Sequence, residues 1–280
     1  GSSTPLRVKE IIDDVLESPF LIPNYLNFDT PFMDQQRQIS AFNNNYHVAE
    51  YTQVDKPSLT RYFNNYNDAK RSWENTSFDE RKDIFLKAAD LISGKYYHTM
   101  LAYTMVGQNK NIYEAEIDAV CELVDFLRFN VAYAEVIHEK QPIQTSYINN
   151  ISEYNSLNGF VAAITPFNFT AIGGNLASAP LLFGNSVLWK PSPSAILSNH
   201  LFYEIMLEAG LPEGVLNFCP MDGKEFLDCV VERRDLGAIL FTGSSTVFDG
   251  INKRVYSDIE TRSTYPRIIG ETGGKNFHFV

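Results

Sequence analysis

Short apolar strands alternate with helical segments from Gly159 onward, and this alternation restricts the fold more than any other feature of the sequence. Strands that are apolar on both faces and joined through helices form parallel sheets, which the helices cover on both sides. The sequence therefore predicts an α/β fold with a five-stranded parallel sheet. The predicted strands cover residues 160–164, 186–189, 215–218, 238–241 and 267–269.

Two predicted parts precede the sheet and the polar stretch before it. Residues 1–60 are rich in Asn, Pro and aromatic side chains, which indicates an irregular N-terminal arm. Residues 61–140 are predicted to be a helical segment. Within it, Ser77 and Glu80 have the spacing of a capping box at the start of a helix.

Residues 141–158 are polar, but β-favouring residues are spread through them. We interpret this stretch as a protruding β-hairpin that leaves the main body, with Asn149–Asn150 as its turn. A two-stranded hairpin is only marginally stable by itself in water, so this one is expected to need a partner.

The chain is acidic, with a formal net charge of -11 over 280 residues. An acidic surface repels phosphate backbones, so no nucleic acid partner is expected. Apolar runs are too short to cross a bilayer, so no membrane span is expected. The three cysteines, Cys121, Cys219 and Cys229, lack the spacing of a zinc site or a disulfide framework, and no metal site is predicted.

Residues suited to chemistry occur in four segments that follow predicted strands. Parallel α/β sheets bind ligands beyond the carboxyl ends of their strands, so these segments are expected to meet in one crevice. Each segment has an ordinary explanation by itself, but their coincidence favours a functional site. The segments are Thr165–Thr170, Leu188–Ser192, Phe241–Val247 and Gly270–Lys275.

The first two segments each offer one hydrogen-bond donor. The side-chain amide of Asn168 can donate to an oxyanion that develops in acyl chemistry, although an Asn in a loop is more often a turn or cap residue. Lys190 can donate to ribose hydroxyls or to a phosphate, although a solvated Lys before a turn is the ordinary alternative.

The other two segments offer an anion site and a carboxylate. Gly243 and the hydroxyl residues after it open a helix whose N–H groups can bind an anion, with ordinary N-capping as the alternative. Glu271 can act as a general base, or it can be a solvated surface charge. The G-x-G-x-x-G dinucleotide fingerprint is absent from the sequence. Cys219 and Cys229 are interpreted as small buried apolar residues.

The four segments contain the motifs T-P-F-N-F-T, W-K-P-S, F-T-G-S and G-E-T-G-G-K. In these motifs, their order and their spacing, the chain resembles the aldehyde dehydrogenase superfamily. Longer stretches from Gly159 and from Tyr265 resemble the branch that oxidises L-glutamate gamma-semialdehyde. The resemblance implies a Rossmann-like NAD-binding core at 159–272, with 273–280 as the start of a catalytic domain that is largely missing.

The resemblance also implies a role for individual residues. Asn168 corresponds to the asparagine that holds the oxyanion, and Glu271 to the glutamate that activates water. Glu122 and Phe169 correspond to residues near the substrate. The residues implied to contact the cofactor are Thr165, Phe167, Lys190, Gly243, Ser244, Ser245, Thr246 and Val247.

Two departures from the family pattern stand out. Pro193 replaces a carboxylate that often follows the ribose-binding lysine by three residues, so NADP is not excluded beside NAD. The family's cysteine nucleophile is expected a few dozen residues beyond Glu271, and the sequence ends at Val280. The chain alone is therefore expected to be inactive. The alternative is a natural short form that binds nucleotide, or its parent subunits, without catalysis.

The resemblance further implies a small-molecule aldehyde substrate and a role in proline catabolism. It implies a homodimer or a higher homo-oligomer, with the hairpin at 141–158 as an oligomerisation element. It also implies a location in the mitochondrial matrix.

Overall fold

The computed structural model describes residues 3–26, 35–275, 277 and 279. These residues form a small three-stranded sheet and a five-stranded parallel sheet, with helices around both. The predicted α/β fold with its five-stranded parallel sheet is therefore confirmed. Within the described ranges, none of the helices combines the length and the apolar character needed to cross a membrane.

The N-terminal region contains regular elements, so the prediction of an irregular arm is wrong. Val48 and Ala49 are fully buried in the central strand of the small sheet, which pairs parallel with one neighbour and antiparallel with the other. Their burial supplies the apolar core that orders the region. The elements are α1 (Thr4–Glu17), β1 (Phe20–Ile22), β2 (Gln35–Ile39) and β3 (His47–Thr52).

The predicted helical segment is confirmed. Ser77 and Glu80 form the predicted capping box, because each side chain accepts a hydrogen bond from the backbone N–H of the other residue. A π-helical turn, Glu116–Glu122, connects two of the helices without a break. The helices are α2 (Lys56–Glu74), α3 (Phe78–Ser93), α4 (Tyr97–Gln108), α5 (Ile112–Ala115) and α6 (Leu123–Glu139).

Residues 141–158 reverse direction, but they form no β-ladder, so the predicted pair of strands is wrong. The reversal lies between Thr145 and Ile148, where the N–H of Thr145 donates to the carbonyl of Ile148, and not at Asn149–Asn150. Side-chain amides bridge the two limbs instead: the amide of Gln144 both donates to and accepts from the backbone of Asn150. A lone two-stranded ladder is marginal in water, which fits this replacement.

The five-stranded sheet has the order β6-β5-β4-β7-β8, and every neighbouring pair is parallel. The predicted strands agree with the observed ones to within three residues at each end. The strands are β4 (Phe160–Ile164), β5 (Val187–Lys190), β6 (Leu216–Phe218), β7 (Leu236–Gly243) and β8 (Arg267–Thr272).

Helices cover both faces of this sheet. Phe160 and Ala162 of β4 point into an apolar cluster with α2, α9 and α10, whereas Val161 and Ala163 point into a cluster with α7 and α8. All four residues are buried, so β4 is apolar throughout, as expected for the centre of a parallel sheet. The helices introduced here are α7 (Thr170–Ser178), α8 (Ile196–Ala209), α9 (Gly223–Val231) and α10 (Ser245–Tyr256).

Candidate cofactor and active site

The strand order reverses at β4. The chain passes from β4 to β5 and β6 on one side, and it then returns to β7 and β8 on the other. Parallel sheets bind ligands at such a reversal, beyond the carboxyl ends of the strands. A cleft of about 830 Å³ lies there, bordered by the loop after β4 and by the carboxyl ends of β5, β7 and β8.

Most of the residues predicted for the site line this cleft. Three do not: Ser245 and Thr246 lie in the first turn of α10, and Glu122 lies at the end of the π-helical turn. The predicted residues that line the cleft are Thr165, Phe167, Asn168, Phe169, Lys190, Gly243, Ser244, Val247 and Glu271.

The loop after β4 is held at its base and open at its tip. Thr165 is buried, and its hydroxyl accepts a hydrogen bond of 2.9 Å from the indole N–H of Trp189 on β5. Phe167 and Asn168 are exposed and face the cleft, and Phe169 is half-buried. The amide of Asn168 is therefore available to a ligand, which fits an oxyanion donor better than a cap or turn residue that bonds its own backbone.

Lys190 ends β5 with a buried side chain at the wall of the cleft. Burial lowers the pKa of its ammonium, and the nearby Asp222 carboxylate only partly offsets this effect. Among the described residues, none forms a hydrogen bond or an ion pair with the ammonium. A cation held this way is far from the solvated lysine of the ordinary alternative, and it suits a hydroxyl or phosphate of a ligand.

The start of α10 borders the cleft on the side of β7. The hydroxyl of Ser244 accepts a hydrogen bond from the backbone N–H of Val247 at 3.3 Å, so ordinary N-capping occurs here. The cap satisfies one N–H and leaves the others of the first turn without helical partners, so a bound anion can still face the helix end. Gly243 is close to Phe241: a Cβ at Gly243 would lie 2.6 Å from that ring.

Glu271 lies near the end of β8, beside Thr242 of β7 in the strand register. It is exposed and lines the cleft. The hydroxyl of Thr242 is buried and has no hydrogen-bond partner among the described residues, and Thr242 also lines the cleft. A carboxylate and an unused hydroxyl at one edge suit a ligand that carries polar groups.

Glu122 approaches this carboxylate from the helical side. Burial raises the pKa of Glu122, the carboxylates of Asp118 and Glu271 raise it further, and the ammonium of Lys110 opposes them. Glu122 therefore lies within electrostatic reach of Glu271 although it does not line the cleft itself.

Two residues beside the site were not predicted from the sequence. The buried carboxylate of Asp118 accepts the backbone N–H groups of Thr170 and Ala171, at the start of α7. The ammonium of Lys110 contacts both Asp118 and the ring of Phe169. Helical spacing gives no sign of the contacts with Phe169, Thr170 and Ala171, because these residues lie more than fifty positions later in the chain.

None of the three cysteines lines the cleft. Cys219 and Cys229 are buried, and burial raises the pKa of both thiols, so the interpretation as small apolar residues is confirmed. Cys121 is exposed, on the π-helical turn. The cleft therefore combines an amide donor, a buried cation and a carboxylate without a thiol of this chain.

Residues 32–280 match the Aldehyde dehydrogenase family. The chain is similar to the mitochondrial Delta-1-pyrroline-5-carboxylate dehydrogenase of Homo sapiens, with 48% identity over 247 residues, which are 88% of this chain and 44% of the human protein. The corresponding protein of Rattus norvegicus is 43% identical over 281 residues, covering 100% of this chain and 50% of the rat protein.

The fold is similar to the crystal structure of Delta-pyrroline-5-carboxylate dehydrogenase from Mycobacterium tuberculosis bound with NAD. The TM-score is 0.93 at 38% identity, and the match covers 98% of this chain and 51% of that one. The chain thus spans about half the length of the relatives it matches. Because the family match takes in nearly all of the 280 residues, this chain belongs to the aldehyde dehydrogenase family.

Proposed function

We propose that this chain provides the NAD-binding part of an enzyme that oxidises L-glutamate gamma-semialdehyde to L-glutamate in proline catabolism. The semialdehyde is in equilibrium with pyrroline-5-carboxylate, for which the relatives are named. The observation that carries the proposal is the meeting of Asn168, Lys190 and Glu271 in one cleft at the reversal of the sheet.

NAD is the proposed cofactor, and the M. tuberculosis relative was crystallised with it. Lys190 would hold ribose hydroxyls, because its buried ammonium has no competing partner among the described residues. The start of α10, with Gly243 and Ser244, would face the pyrophosphate, and Thr165, Phe167 and Val247 would line the remaining contact surface. Pro193 offers no carboxylate to repel a 2′-phosphate, so NADP remains a second candidate cofactor.

In the proposed reaction, a cysteine thiolate adds to the aldehyde and gives a hemithioacetal. The bound cofactor supplies the hydride acceptor, and the resulting thioester is hydrolysed by water. Asn168 would donate its amide to the oxyanion of the first adduct. Glu271 would remove a proton from the water that attacks the thioester. Glu122 and Phe169 would border the aldehyde.

The thiol of this reaction comes from outside these 280 residues. The basis is geometric: none of the three cysteines of the chain lines the cleft, and two of them are buried, which raises the pKa of their thiols. The chain alone is therefore proposed to lack dehydrogenase activity. The same observation favours a second candidate, a non-catalytic short form that binds nucleotide or the parent subunits, because the cofactor residues are present where a thiol is not.

Location and assembly are proposed from the names of the relatives and from exposed apolar side chains. The mammalian relatives are named as mitochondrial proteins, which supports a mitochondrial matrix location. The segment at 141–158 exposes apolar side chains, with Ile143 at 85% and Tyr147 at 95% exposure, which supports a role in a homodimer or a higher homo-oligomer.

Calorimetric titration with NAD tests the cofactor assignment in this chain. Binding should be lost in Lys190→Ala and retained in Lys253→Ala, which removes an exposed lysine of α10 outside the cleft. Circular dichroism of each variant shows whether it is folded. Heat of binding that is equal in Lys190→Ala and in the unsubstituted chain would refute the assignment.

Activity is tested separately, with L-glutamate gamma-semialdehyde and NAD. A polypeptide that joins this chain to a thiol-bearing remainder should form NADH, and the 280-residue chain should not. Steady NADH formation by the 280-residue chain would contradict the proposal that this chain lacks the reacting thiol.

A further inference from the structure

A buried carboxylate caps the helix that follows the Asn168 loop. Asp118 is 1% exposed, and its two oxygens accept the backbone N–H groups of Thr170, at 3.0 Å, and Ala171, at 2.8 Å. Asn168 and Phe169 directly precede these two residues in the chain. Since Phe169, at the N-cap position of α7, makes no side-chain cap bond, Asp118 supplies the missing cap from another element.

Lys110 completes this arrangement from the loop before α5. Its ammonium lies 2.5 Å from the carboxylate of Asp118 and 3.8 Å from the centre of the Phe169 ring. The Lys110 side chain is only 13% exposed, so both charges are largely withdrawn from water. An ammonium shared between a carboxylate and an aromatic face restricts the position of that ring.

A second set of bonds fixes the side chain of Thr170. Its hydroxyl lies 2.9 Å from that of Thr104, 3.1 Å from the amide oxygen of Gln108 and 3.1 Å from the hydroxyl of Ser198. These partners come from α4 and α8, so the start of α7 is held on two sides. The Asn168 loop therefore has a rigid end at Thr170, where the carboxylate of Asp118 accepts the backbone N–H.

We propose that Asp118 and Lys110 are positioning residues, which hold the Asn168 loop in the geometry that oxyanion binding requires. The inference rests on the proposed function, because it assigns the purpose of the pair to the amide of Asn168. Neither residue touches the reacting atoms: Asp118 acts through the backbone of α7, and Lys110 acts through the ring of Phe169. Donors of this kind stabilise a transition state only when they are fixed before the reaction.

Hydrogen–deuterium exchange of this chain tests the holding role without any activity. In Asp118→Asn, the amides of Thr170 and Ala171 should exchange about tenfold faster, because a charged cap is lost. Asp125→Asn removes an exposed carboxylate one turn beyond Glu122, and it should leave these amides unchanged. The double variant Lys110→Met/Asp118→Asn removes both charges together. It replaces the single variant in this test if Asp118→Asn alone fails to fold.

Unchanged exchange at Thr170 and Ala171 in Asp118→Asn and in the double variant would overturn the proposal. So would an equal rise in exchange across α3 and α8, because that pattern indicates general destabilisation. Lys110→Arg keeps the charge and should retain the slow exchange of the unsubstituted chain, whereas Lys110→Met should make these amides exchange faster.

The catalytic consequence is measured in the polypeptide that also contains the nucleophile. Asp118→Asn and Lys110→Met should slow the first turnover of NADH about tenfold or more, with the KM for NAD unchanged. Lys110→Arg should recover most of that rate. An unchanged first turnover in a folded Asp118→Asn enzyme would refute the positioning role. Absence of NADH from the unsubstituted enzyme would instead reject the proposed function, and the exchange data would still decide whether the pair holds the loop.

Discussion

The indole N–H of Trp189 donates a hydrogen bond to the hydroxyl of Thr165, at an N–O distance of 2.9 Å. Both residues are buried, Trp189 on β5 and Thr165 directly after β4. The bond ties the base of the Asn168 loop to the strand that carries Lys190. Because it is enclosed in the core, water cannot replace either partner when the other is removed.

Substitution on either side of this bond should destabilise the chain. Thr165→Val leaves the indole N–H unpaired, and Trp189→Phe leaves the hydroxyl unpaired and removes ring volume, so each should cost about 1–3 kcal/mol in the free energy of unfolding. The double variant should cost less than the sum of the two, since the second change removes a group that is already unpaired. Urea unfolding of the four proteins measures the coupling, and strict additivity would show that the bond is unimportant.

The buried ammonium of Lys190 should lower the folding stability of the chain and strengthen NAD binding. Burial lowers its pKa below the ordinary 10.5, so the unfolded chain holds this proton more tightly than the folded chain does. The free energy of unfolding should therefore increase with pH between the pKa of Lys190 in the folded chain and 10.5. Lys190→Met should stabilise the ligand-free chain at neutral pH, remove that rise and weaken NAD binding. Urea unfolding at several pH values checks this, and a less stable Lys190→Met chain would contradict it.

His200 should make the chain sensitive to acid. Burial lowers the pKa of His200 from 6.5 to about 4. The hydroxyl of Tyr25 donates to the carboxylate of Glu204, so it accepts from Nε2 of His200 at 2.7 Å. Glu204 lies 3.6 Å from the same nitrogen and favours protonation of His200. The side chain of Glu204 is 44% exposed, however, so solvent screens this attraction, and burial decides the direction of the pKa shift.

As the pH falls, the unfolded chain therefore protonates His200 near pH 6.5, whereas the folded chain protonates it only near pH 4. Stability should fall across this interval by about 3 kcal/mol. The loss from His200 should be absent in His200→Gln, so the fall in unfolding free energy between pH 7 and pH 4 should be smaller in that variant. An identical fall in both proteins would show that His200 is not responsible.

Glu271 and Asn168 should act in different steps of the proposed reaction. In the polypeptide that contains the nucleophile, Glu271→Gln should reduce turnover by about a hundred- to ten-thousand-fold, because it removes the basic oxygen that activates water. A first burst of NADH should remain, since acylation precedes hydrolysis. Asn168→Ala should slow the burst itself. Rapid mixing separates the two variants, and equal burst rates would show that the roles are wrongly assigned.

The five-stranded sheet was predictable because its signal is local. β4 begins and ends at the predicted residues, Phe160 and Ile164, and a run of apolar residues between polar ones is sufficient to place it. The small sheet was not predictable in this way. Its strand β2 is the polar segment Q-Q-R-Q-I, and the buried amide of Gln38 bonds the backbone of Ser194 and Leu197, more than 150 residues away.

The residues of the site also divide into those that the sequence predicts and those that it does not. Lys190 and Glu271 follow strands, so the sequence places them at the carboxyl edge of the sheet, and the cleft lies there. Asp118 and Lys110 have no such signal. Asp118 looks like one more carboxylate in an acidic helix, and its function depends on two backbone N–H groups that only the tertiary structure brings close.

The π-helical turn, Glu116–Glu122, has a consequence for insertions and deletions. Each of its turns contains about one residue more than a turn of α-helix, which holds 3.6. Deleting one residue there would return the segment to an α-helix, and the wide turns already absorb that residue, so α6 would rotate relative to α5 by much less than the 100° between neighbouring residues of an α-helix. Leu127 and Val131, which are buried, would then stay on the core side of α6. A one-residue deletion within α6 itself would instead rotate all later residues of that helix by about 100°. Changes of length by one residue are thus expected to be tolerated in the π-helical turn and in the loops, and not within α6.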